Sequence, residues 1–234
     1  MITMIGTGHV FRIAEPVAFV IKNMWPKAVC LELDDRRYVA MTEQGNRPIS
    51  ESPKGLYRKT AQYQNKVSEK NKTTAGGEML AAIGAAKRAG AEIICIDVDA
   101  EKAINEMWEE MSGLERMRYR MSGIADRIFM KHRADSVQKE YSEHEEEYLD
   151  NMRKRYPTLV RKLIDERNDY MAKQIREVCA QYDDVVIVVG DGHIPGLRKR
   201  LSNIDMNVIR LAELLDPEKV KKVYDAAWNG SKSE

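Results

Sequence analysis

Short runs of apolar residues alternate along most of the chain with stretches in which apolar side chains recur every three or four positions. Runs that are rich in β-branched residues and end at glycine or acidic residues are typical of buried strands. Such runs predict strands at 2–5, 28–31, 92–96, 185–189 and 206–209. Helical spacing between them predicts crossover helices. The pattern therefore indicates an α/β fold with a mostly parallel central sheet flanked by helices.

The ends of the predicted helices are marked by proline and glycine. A helix that has Pro16 in its first turn runs to Trp25 and stops at Pro26, and Gly90 ends a helix of small residues that opens at Gly76. Further helices are predicted at 35–43, 197–201 and 217–228.

Residues from about 100 to 182 carry helical periodicity and no strand pattern, which predicts a helical insertion within a single domain covering 1–234. A methionine-rich stripe could pack within one chain or form a homodimer; it consists of Leu114, Met117, Met121, Ile124 and Ile128. A second stripe consists of Val160, Ile164, Arg167, Met171, Ile175 and Val178. The stretch 46–76, which contains prolines and many basic residues, is predicted to be a long loop of the kind that often covers an active site.

Composition restricts the class of protein. With 43% hydrophobic and 32% charged residues the chain is globular, and a net charge of +1 argues against nucleic acid as a partner. Its longest apolar runs fall well short of the roughly 20 residues of a membrane helix, so no transmembrane segment is expected. The three cysteines, Cys30, Cys95 and Cys179, make no disulfide framework and are expected to be buried, which favours a cytoplasmic location.

One phrase occurs twice, each time directly after a predicted strand. The first Gly-x-Gly-His motif comprises Gly6, Gly8 and His9, and the second comprises Gly190, Gly192 and His193. The two motifs use half of the four histidines in the chain. Glycine at these positions lets the backbone turn sharply and leaves room beside each histidine.

Four predicted strands are followed by side chains that bind metals or transfer protons. These side chains are His9, Glu32, Asp97 together with Asp99, and His193. Because ligands bind beyond the carboxyl ends of parallel strands, we expect these residues to lie along one edge of the sheet. Two imidazoles and one carboxylate, here His9, His193 and Glu32, can form a three-ligand metal site with an open position for water.

Other interpretations remain open from the residues alone. Each histidine could be a hydrogen-bonded turn residue, or the glycine-rich turns could bind an anion through backbone N–H groups. Arg167 occupies a position of its helical stripe where an apolar residue is expected, so it needs a carboxylate or substrate partner unless its head reaches solvent.

The chain resembles the TraB/PrgY family, which includes the pheromone-shutdown proteins and the TIKI proteases, and more distantly the erythromycin esterase and ChaN haem-binding group. Five segments that follow the family's order carry the resemblance: Ile5–Val10, Leu31–Tyr38, Gly76–Met79, Glu166–Met171 and Val189–Gly196. Val98 stands where relatives often have arginine between two aspartates, which puts a role for Asp97 or Asp99 in doubt.

The resemblance implies a site built from His9 and His193 with acidic and basic neighbours. By position the acids are Glu32 and Glu78, and the basic residues are Arg37 and Arg167. TIKI-like members are divalent-metal proteases, so the resemblance implies manganese or cobalt, with zinc as an alternative. Pheromone-shutdown members degrade or sequester a peptide.

Two functions follow as expectations. In the first, the chain is a metal-dependent, peptidase-like hydrolase: His9, His193 and Glu32 hold the metal, and Glu78 is a general base or further ligand. Arg37 and Arg167 then stabilise an oxyanion or position a substrate carboxylate. In the second, the chain binds and sequesters a peptide or a haem-like ligand without turnover.

Overall fold

The computed structural model describes residues 1–8, 13–43, 76–121, 147–216 and 218–219. The strands in these ranges are β1 (Ile2–Thr7), β2 (Ala28–Leu31), β3 (Glu92–Cys95), β4 (Val185–Gly190) and β5 (Asn207–Ile209). They form one sheet in the order β3-β2-β4-β1-β5, and every pairing is parallel. The predicted α/β fold with a parallel central sheet is therefore confirmed.

Helices connect the strands and cover both faces of the sheet. They are α1 (Ala14–Met24), α2 (Asp35–Glu43), α3 (Gly77–Ala89), α4 (Ala100–Glu110), α5 (Gly113–Met121), α6 (147–155), α7, α8 (Ile194–Arg200) and α9 (Leu211–Leu214). Helix α7 has three parts: Pro157–Val160, a π-helical turn at Arg161–Asp165, and Glu166–Cys179.

Successive residues of a strand point to opposite faces of the sheet, so their side chains belong to two separate apolar cores. On one face, Ile5, Leu31 and Val188 pack with α1, α3 and α9. On the other face, Met4 and Ile187 belong to a core that takes in α7 and α8. Because both faces are covered, the central strands are apolar on both sides, which explains why β4 reads as an uninterrupted valine and isoleucine run.

The helix ends follow the predicted signals. Helix α1 ends at Trp25, which adopts a left-handed conformation (φ 47°) just before Pro26, and α3 ends at Gly90 (φ 68°), where the backbone N–H bonds the last carbonyls. Left-handed backbone at the end of a helix favours glycine, so Gly90 is explained by its conformation.

Two predicted helices and one predicted loop need correction or lie outside the described residues. The helix predicted from Leu197 begins at Ile194, because Pro195 fits its first turn and does not delay its start. The short helix α9 was not predicted. The predicted helix 217–228 and the predicted loop 46–76 fall almost entirely outside the described residues.

In the predicted insertion, residues 100–182, the described residues form α4 to α7, with short non-helical breaks at 111–112 and 156 and a turn at 180–182, and none of them forms a strand. Helix α4 and the start of α7 share a small core around Met107, Met111 and Tyr156. The α7 stripe is buried at Met171, Ile175 and Val178 against the sheet. The other stripe is exposed at its described members, which are Leu114, Met117 and Met121; Ile124 and Ile128 lie outside the described ranges.

The expectations about the cysteines, the membrane and the assembly have different outcomes. Cys30 is buried as predicted, but Cys95 and Cys179 are only partly buried, because Cys95 lies at the margin of the first core and Cys179 at the margin of the second. Among the helices described, none is long and apolar enough to span a bilayer. The single domain 1–234, the homodimer and the cytoplasmic location stay predictions.

Candidate functional site

The carboxyl ends of β2, β3 and β4 lie side by side, and this edge of the sheet carries the candidate site. Leu31, the last residue of β2, pairs with Cys95 of β3 on one side and with Val188 of β4 on the other. Glu32 therefore follows its strand directly between the ends of β3 and β4. The strand order thus brings together polar residues that are far apart along the chain.

Glu32 is buried and occupies the centre of this edge, with 6% of its surface exposed. Its Oε2 accepts a hydrogen bond from the backbone N–H of Gly190 at 2.5 Å. Its Oε1 accepts a second from Nη2 of Arg167 at 2.5 Å and lies 3.4 Å from Nε2 of His193. Charge-assisted bonds of this kind fix a carboxylate in one orientation.

Arg167 links Glu32 to Asp97, whose side chain is fully buried. Its Nε donates to Asp97 Oδ1 at 2.9 Å and its Nη2 donates to Asp97 Oδ2 at 2.7 Å, which is a two-pronged arginine–carboxylate pair. Burial lowers the pKa of Arg167, but the charges of Asp97 and Glu32 outweigh it, so that the pKa lies above its ordinary value. The guanidinium is therefore permanently charged.

Arg37 adds a second positive charge to the same network. Its Nη1 lies 3.6 Å from Asp97 Oδ2 and donates to the backbone carbonyl of Glu32 at 3.5 Å. Asp34 holds the start of its helix, because Asp34 Oδ1 accepts the backbone N–H of Arg37 at 2.9 Å. Two carboxylates and two guanidiniums thus balance in charge; we call Glu32, Asp97, Arg37 and Arg167 the sheet-edge network.

His193 lies beside this network in a 3₁₀ turn that follows β4, and 5% of its surface is exposed. Its Nδ1 is 2.8 Å from Oδ1 of Asn168, a residue of α7 that is 1% exposed. Arg167 and Asn168 are consecutive, and both lie in the first turn of the α7 segment that follows the π-helical turn. A single turn of α7 therefore contacts both Glu32, through Arg167, and His193, through Asn168.

The glycines of the second motif leave room for these side chains. A Cβ on Gly190 would lie 3.2 Å from Glu32 Oε2, closer than a methyl group packs comfortably. The N–H of Gly190 donates to Glu32, so an anion bound at this turn would have to compete with that carboxylate. Gly192 belongs to the 3₁₀ turn that carries His193.

A separate ion pair lies between the second motif turn and Gly6 of the first motif. Asp191, between the glycines of the second motif, accepts from Arg210 at 2.9 Å and 2.8 Å and from the N–H of Leu211 at 2.9 Å. A Cβ on Gly6 would lie 2.1 Å from Asp191 Oδ1, so only glycine fits there. Gly8 is buried next to these turns.

Of the two remaining expected site residues, Glu78 is described and His9 is not. Glu78 lies in the first turn of α3 with 2% of its surface exposed. His9 lies outside the described residues. Among the residues that are described, no group of three or more histidine, cysteine, aspartate or glutamate side chains is arranged to hold a metal ion.

A cleft of about 470 Å³ opens beyond the ends of β2 and β3, between α4 and α7. It is lined by residues of both charges, among them Asp34, Asp97, Asp99, Lys162 and Arg167. Cys95 also lines it, and burial, with Asp35 nearby, raises the pKa of that thiol to about 12. Cys95 is therefore a neutral thiol at physiological pH and a poor nucleophile.

Asn168 and Asp191 were not predicted as site residues from the sequence. Asn168 stands four residues after Ile164 and three before Met171, so its place on the buried stripe was a readable signal. Asp191 offered no comparable signal, because its partner Arg210 follows it by nineteen positions across another strand.

A sequence model of the TraB/PrgY/gumN family matches residues 1–208 of the chain. A curated relative, an uncharacterized protein of Methanocaldococcus jannaschii, is 28% identical over an alignment that covers 94% of this chain. The chain spans 58% of the length of that relative. No solved structure gives a significant match.

Proposed function

Because the chain belongs to the TraB/PrgY/gumN family, we propose that it is a divalent-metal-dependent hydrolase of peptide-like substrates with its site at Glu32 and His193. The observation that carries the proposal is the 3.4 Å approach of Glu32 Oε1 to His193 Nε2 at the carboxyl edge of the sheet. These residues are separated by a long stretch of sequence, and both are buried, where a carboxylate and an imidazole cost free energy unless they are paired or hydrogen-bonded.

The donor set fits a divalent metal in part. One imidazole nitrogen and one carboxylate are ligands that manganese, cobalt and zinc all accept, and His9 is the proposed third ligand. Glu32 already accepts from Arg167 and from Gly190. A carboxylate offers about four lone-pair sites, so these two hydrogen bonds do not by themselves exclude a metal.

The chemistry divides between the metal and the chain. When bound, the metal lowers the pKa of a coordinated water and polarises a substrate carbonyl. Arg167 and Arg37 hold positive charge at the sheet edge, where negative charge on a substrate carboxylate or oxyanion would be stabilised. Glu78 is the proposed general base or further ligand, and the glycines at 6, 8, 190 and 192 are the proposed backbone contacts of the ligand.

Metal analysis tests the proposal directly. Protein stripped with a chelator is re-equilibrated with Mn²⁺ or Co²⁺, and bound metal is measured by mass spectrometry. We expect stoichiometric binding by the wild type. The variants Glu32→Gln and His193→Ala should weaken it by more than the roughly 10–100-fold that changes in outer-shell residues cost. His144→Ala, which alters a histidine outside both motifs, is the matched control.

Hydrolysis is tested with a library of fluorescence-quenched peptides. We expect cleavage that depends on Mn²⁺ or Co²⁺ and is lost in Glu32→Gln and His193→Ala but kept in His144→Ala. Absence of stoichiometric metal in the wild type, or equal binding by all the variants, would falsify the metal-dependent hydrolase.

A second candidate function is capture of a peptide or haem-like ligand without turnover. The cleft of about 470 Å³ favours it, because Arg167 and Asp97 line that cleft whereas Glu32 and His193 are not among its lining residues. Charges of both signs suit a peptide better than the largely apolar surface of a haem. A library peptide recovered intact from the complex after long incubation with Mn²⁺ would support this function.

A further inference from the structure

We propose that Asn168 is a positioning residue that holds His193 in one tautomer, with the ring hydrogen on Nδ1 and the lone pair on Nε2. Asn168 is 1% exposed, and its Oδ1 lies 2.8 Å from His193 Nδ1. A neutral imidazole carries its hydrogen on one nitrogen only, and the partner of that nitrogen selects which. An amide oxygen at this distance accepts, so it selects Nδ1–H.

The contact on the opposite side of the ring is longer. His193 Nε2 lies 3.4 Å from Glu32 Oε1, beyond the 2.7–3.2 Å of an ordinary N–H···O hydrogen bond. The same oxygen accepts from Arg167 at 2.5 Å. Glu32 is oriented by Arg167 and by the N–H of Gly190, so the shorter contact of His193, the one to Asn168, is the one that selects the tautomer.

The backbone beside Asn168 is shaped to its amide. A Cβ on Gly196 would lie 2.2 Å from Asn168 Nδ2 and 3.1 Å from its Cγ, so the amide packs directly against the glycine of α8. That helix begins immediately after His193. The side chain of Asn168 is thus held between the His193 ring and Gly196. Asparagine is a poor choice for a helix interior, and its fixed partners explain its presence there.

The inference deepens the proposed function and rests on it only for its consequence. In a metal-dependent hydrolase, the tautomer puts the lone pair on the nitrogen that faces Glu32, and an acceptor on the other ring nitrogen strengthens the histidine as a ligand. The tautomer itself is a property of the metal-free chain.

Nitrogen NMR of the full chain tests the tautomer. Protein labelled with ¹⁵N in histidine is stripped of metal and studied at about pH 8.5, where an ordinary histidine is neutral, and His193 is assigned by comparison with His193→Ala. We expect a protonated-type Nδ1 signal and an unprotonated-type Nε2 signal in the wild type, and a mixture in Asn168→Ala. A hydrogen on Nε2 in the wild type, or an unchanged tautomer in Asn168→Ala, overturns the proposal.

Further variants separate positioning from general damage to the fold. Asn168→Asp keeps an acceptor oxygen and should keep the Nδ1–H tautomer. Gly196→Ala should displace the amide and give the mixture, whereas Gly84→Ala should not, because a Cβ at Gly84 meets only the flexible end of Arg88, at 3.4 Å. Equal mixtures in the Gly196 and Gly84 variants would refute a specific role for Asn168.

The proposed function fails independently of this inference. Mn²⁺ affinity should fall roughly 10–100-fold in Asn168→Ala and recover in Asn168→Asp. If the protein binds no metal but shows the Nδ1–H tautomer, the role of Asn168 is supported and the proposed metal-dependent hydrolase is refuted. If the protein binds metal but the metal-free chain shows an Nε2–H tautomer, the role of Asn168 is refuted and the proposed function is unaffected.

Discussion

Helix α7 carries two clusters of charge close together, and they differ in how much water reaches them. The sheet-edge network holds Arg167 between two carboxylates whose side chains are 8% exposed at Glu32 and fully buried at Asp97. The helix-surface cluster, formed by Glu106, Glu110, Arg161, Lys162 and Glu166, lies at the π-helical turn just before it. Its acidic side chains are 39–44% exposed.

The two clusters show that a count of ion pairs says little about what they do. In the buried network each charge depends on its partners, because removal of one leaves another uncompensated in a medium that solvates charge poorly. In the exposed cluster water and salt replace a lost partner. Lys162 is intermediate: its stem is buried, while hydrogen bonds from its ammonium, chiefly to Glu110 and Glu166, raise its pKa.

The largest expected effect comes from breaking the buried network at its most buried member. Asp97→Asn should lower the free energy of unfolding by about 3–5 kcal/mol, because Arg167 loses its two-pronged partner without leaving the interior. Denaturant titration followed by circular dichroism measures the loss. Glu110→Gln in the helix-surface cluster is the control, and an equal loss in both variants would contradict a difference in energy between the buried and the exposed cluster.

A buried carboxylate that accepts from backbone N–H groups sharpens the comparison. Glu115, 4% exposed, accepts the backbone N–H groups of Thr158 at 2.9 Å and Leu159 at 3.3 Å and so caps the start of α7. Glu115→Ala should cost about 1–2 kcal/mol, as loss of a helix cap does. Glu115→Gln, which keeps an acceptor, should cost less. Faster hydrogen exchange at Thr158 and Leu159 in the alanine variant is the matching local readout.

Asp99 at the start of α4 is a partly exposed case with a dependence on pH. The N–H of Lys102, together with Arg36, holds the pKa of Asp99 below its ordinary value. A carboxylate with a lowered folded pKa adds stability above its unfolded pKa, about 3.9, and loses it as pH falls through the folded pKa. Asp99→Ala should therefore cost about 1 kcal/mol at pH 7 and less at pH 3. A difference that stays constant with pH would count against this account.

The smallest effect should come from the helix-surface cluster. Arg161 is 47% exposed and pairs with Glu110 and Glu166, each at 2.6 Å. Arg161→Met should leave the midpoint of urea unfolding unchanged within error, because solvent screens these pairs. A shift comparable to that of Asp97→Asn would remove the basis of the comparison.

Much of the fold could be predicted because its signals are local. The β-branched runs of β1 and β4, the glycine after α3 and the stripe on α7 each reflect the preferences of a few neighbouring residues. Arg167 could be singled out for a similar reason, since a charge on an apolar stripe needs a partner. Asn168 was overlooked although it stands on the same stripe, because an amide carries no charge and is easily taken for a surface residue.

The residues of the candidate site could be named from the strand ends, but their partners could not. That Arg167 would bind Asp97 as well as Glu32 was not foreseen, and the substitution at Val98 had counted against Asp97. The orientation of Arg167 follows a π-helical turn that shifts the face of the helix, and no simple spacing rule predicts such a turn.

The sequence by itself determined the strands, their parallel direction and the polar residues that follow them, because each depends on short-range patterning and on helical connections. Only the tertiary structure decided that β4 lies between β2 and β1. That order places Glu32 against Gly190 and brings His193 within 3.4 Å of Glu32. Strand order depends on how whole helices pack on the two faces of the sheet, and that energy is not written in any one segment.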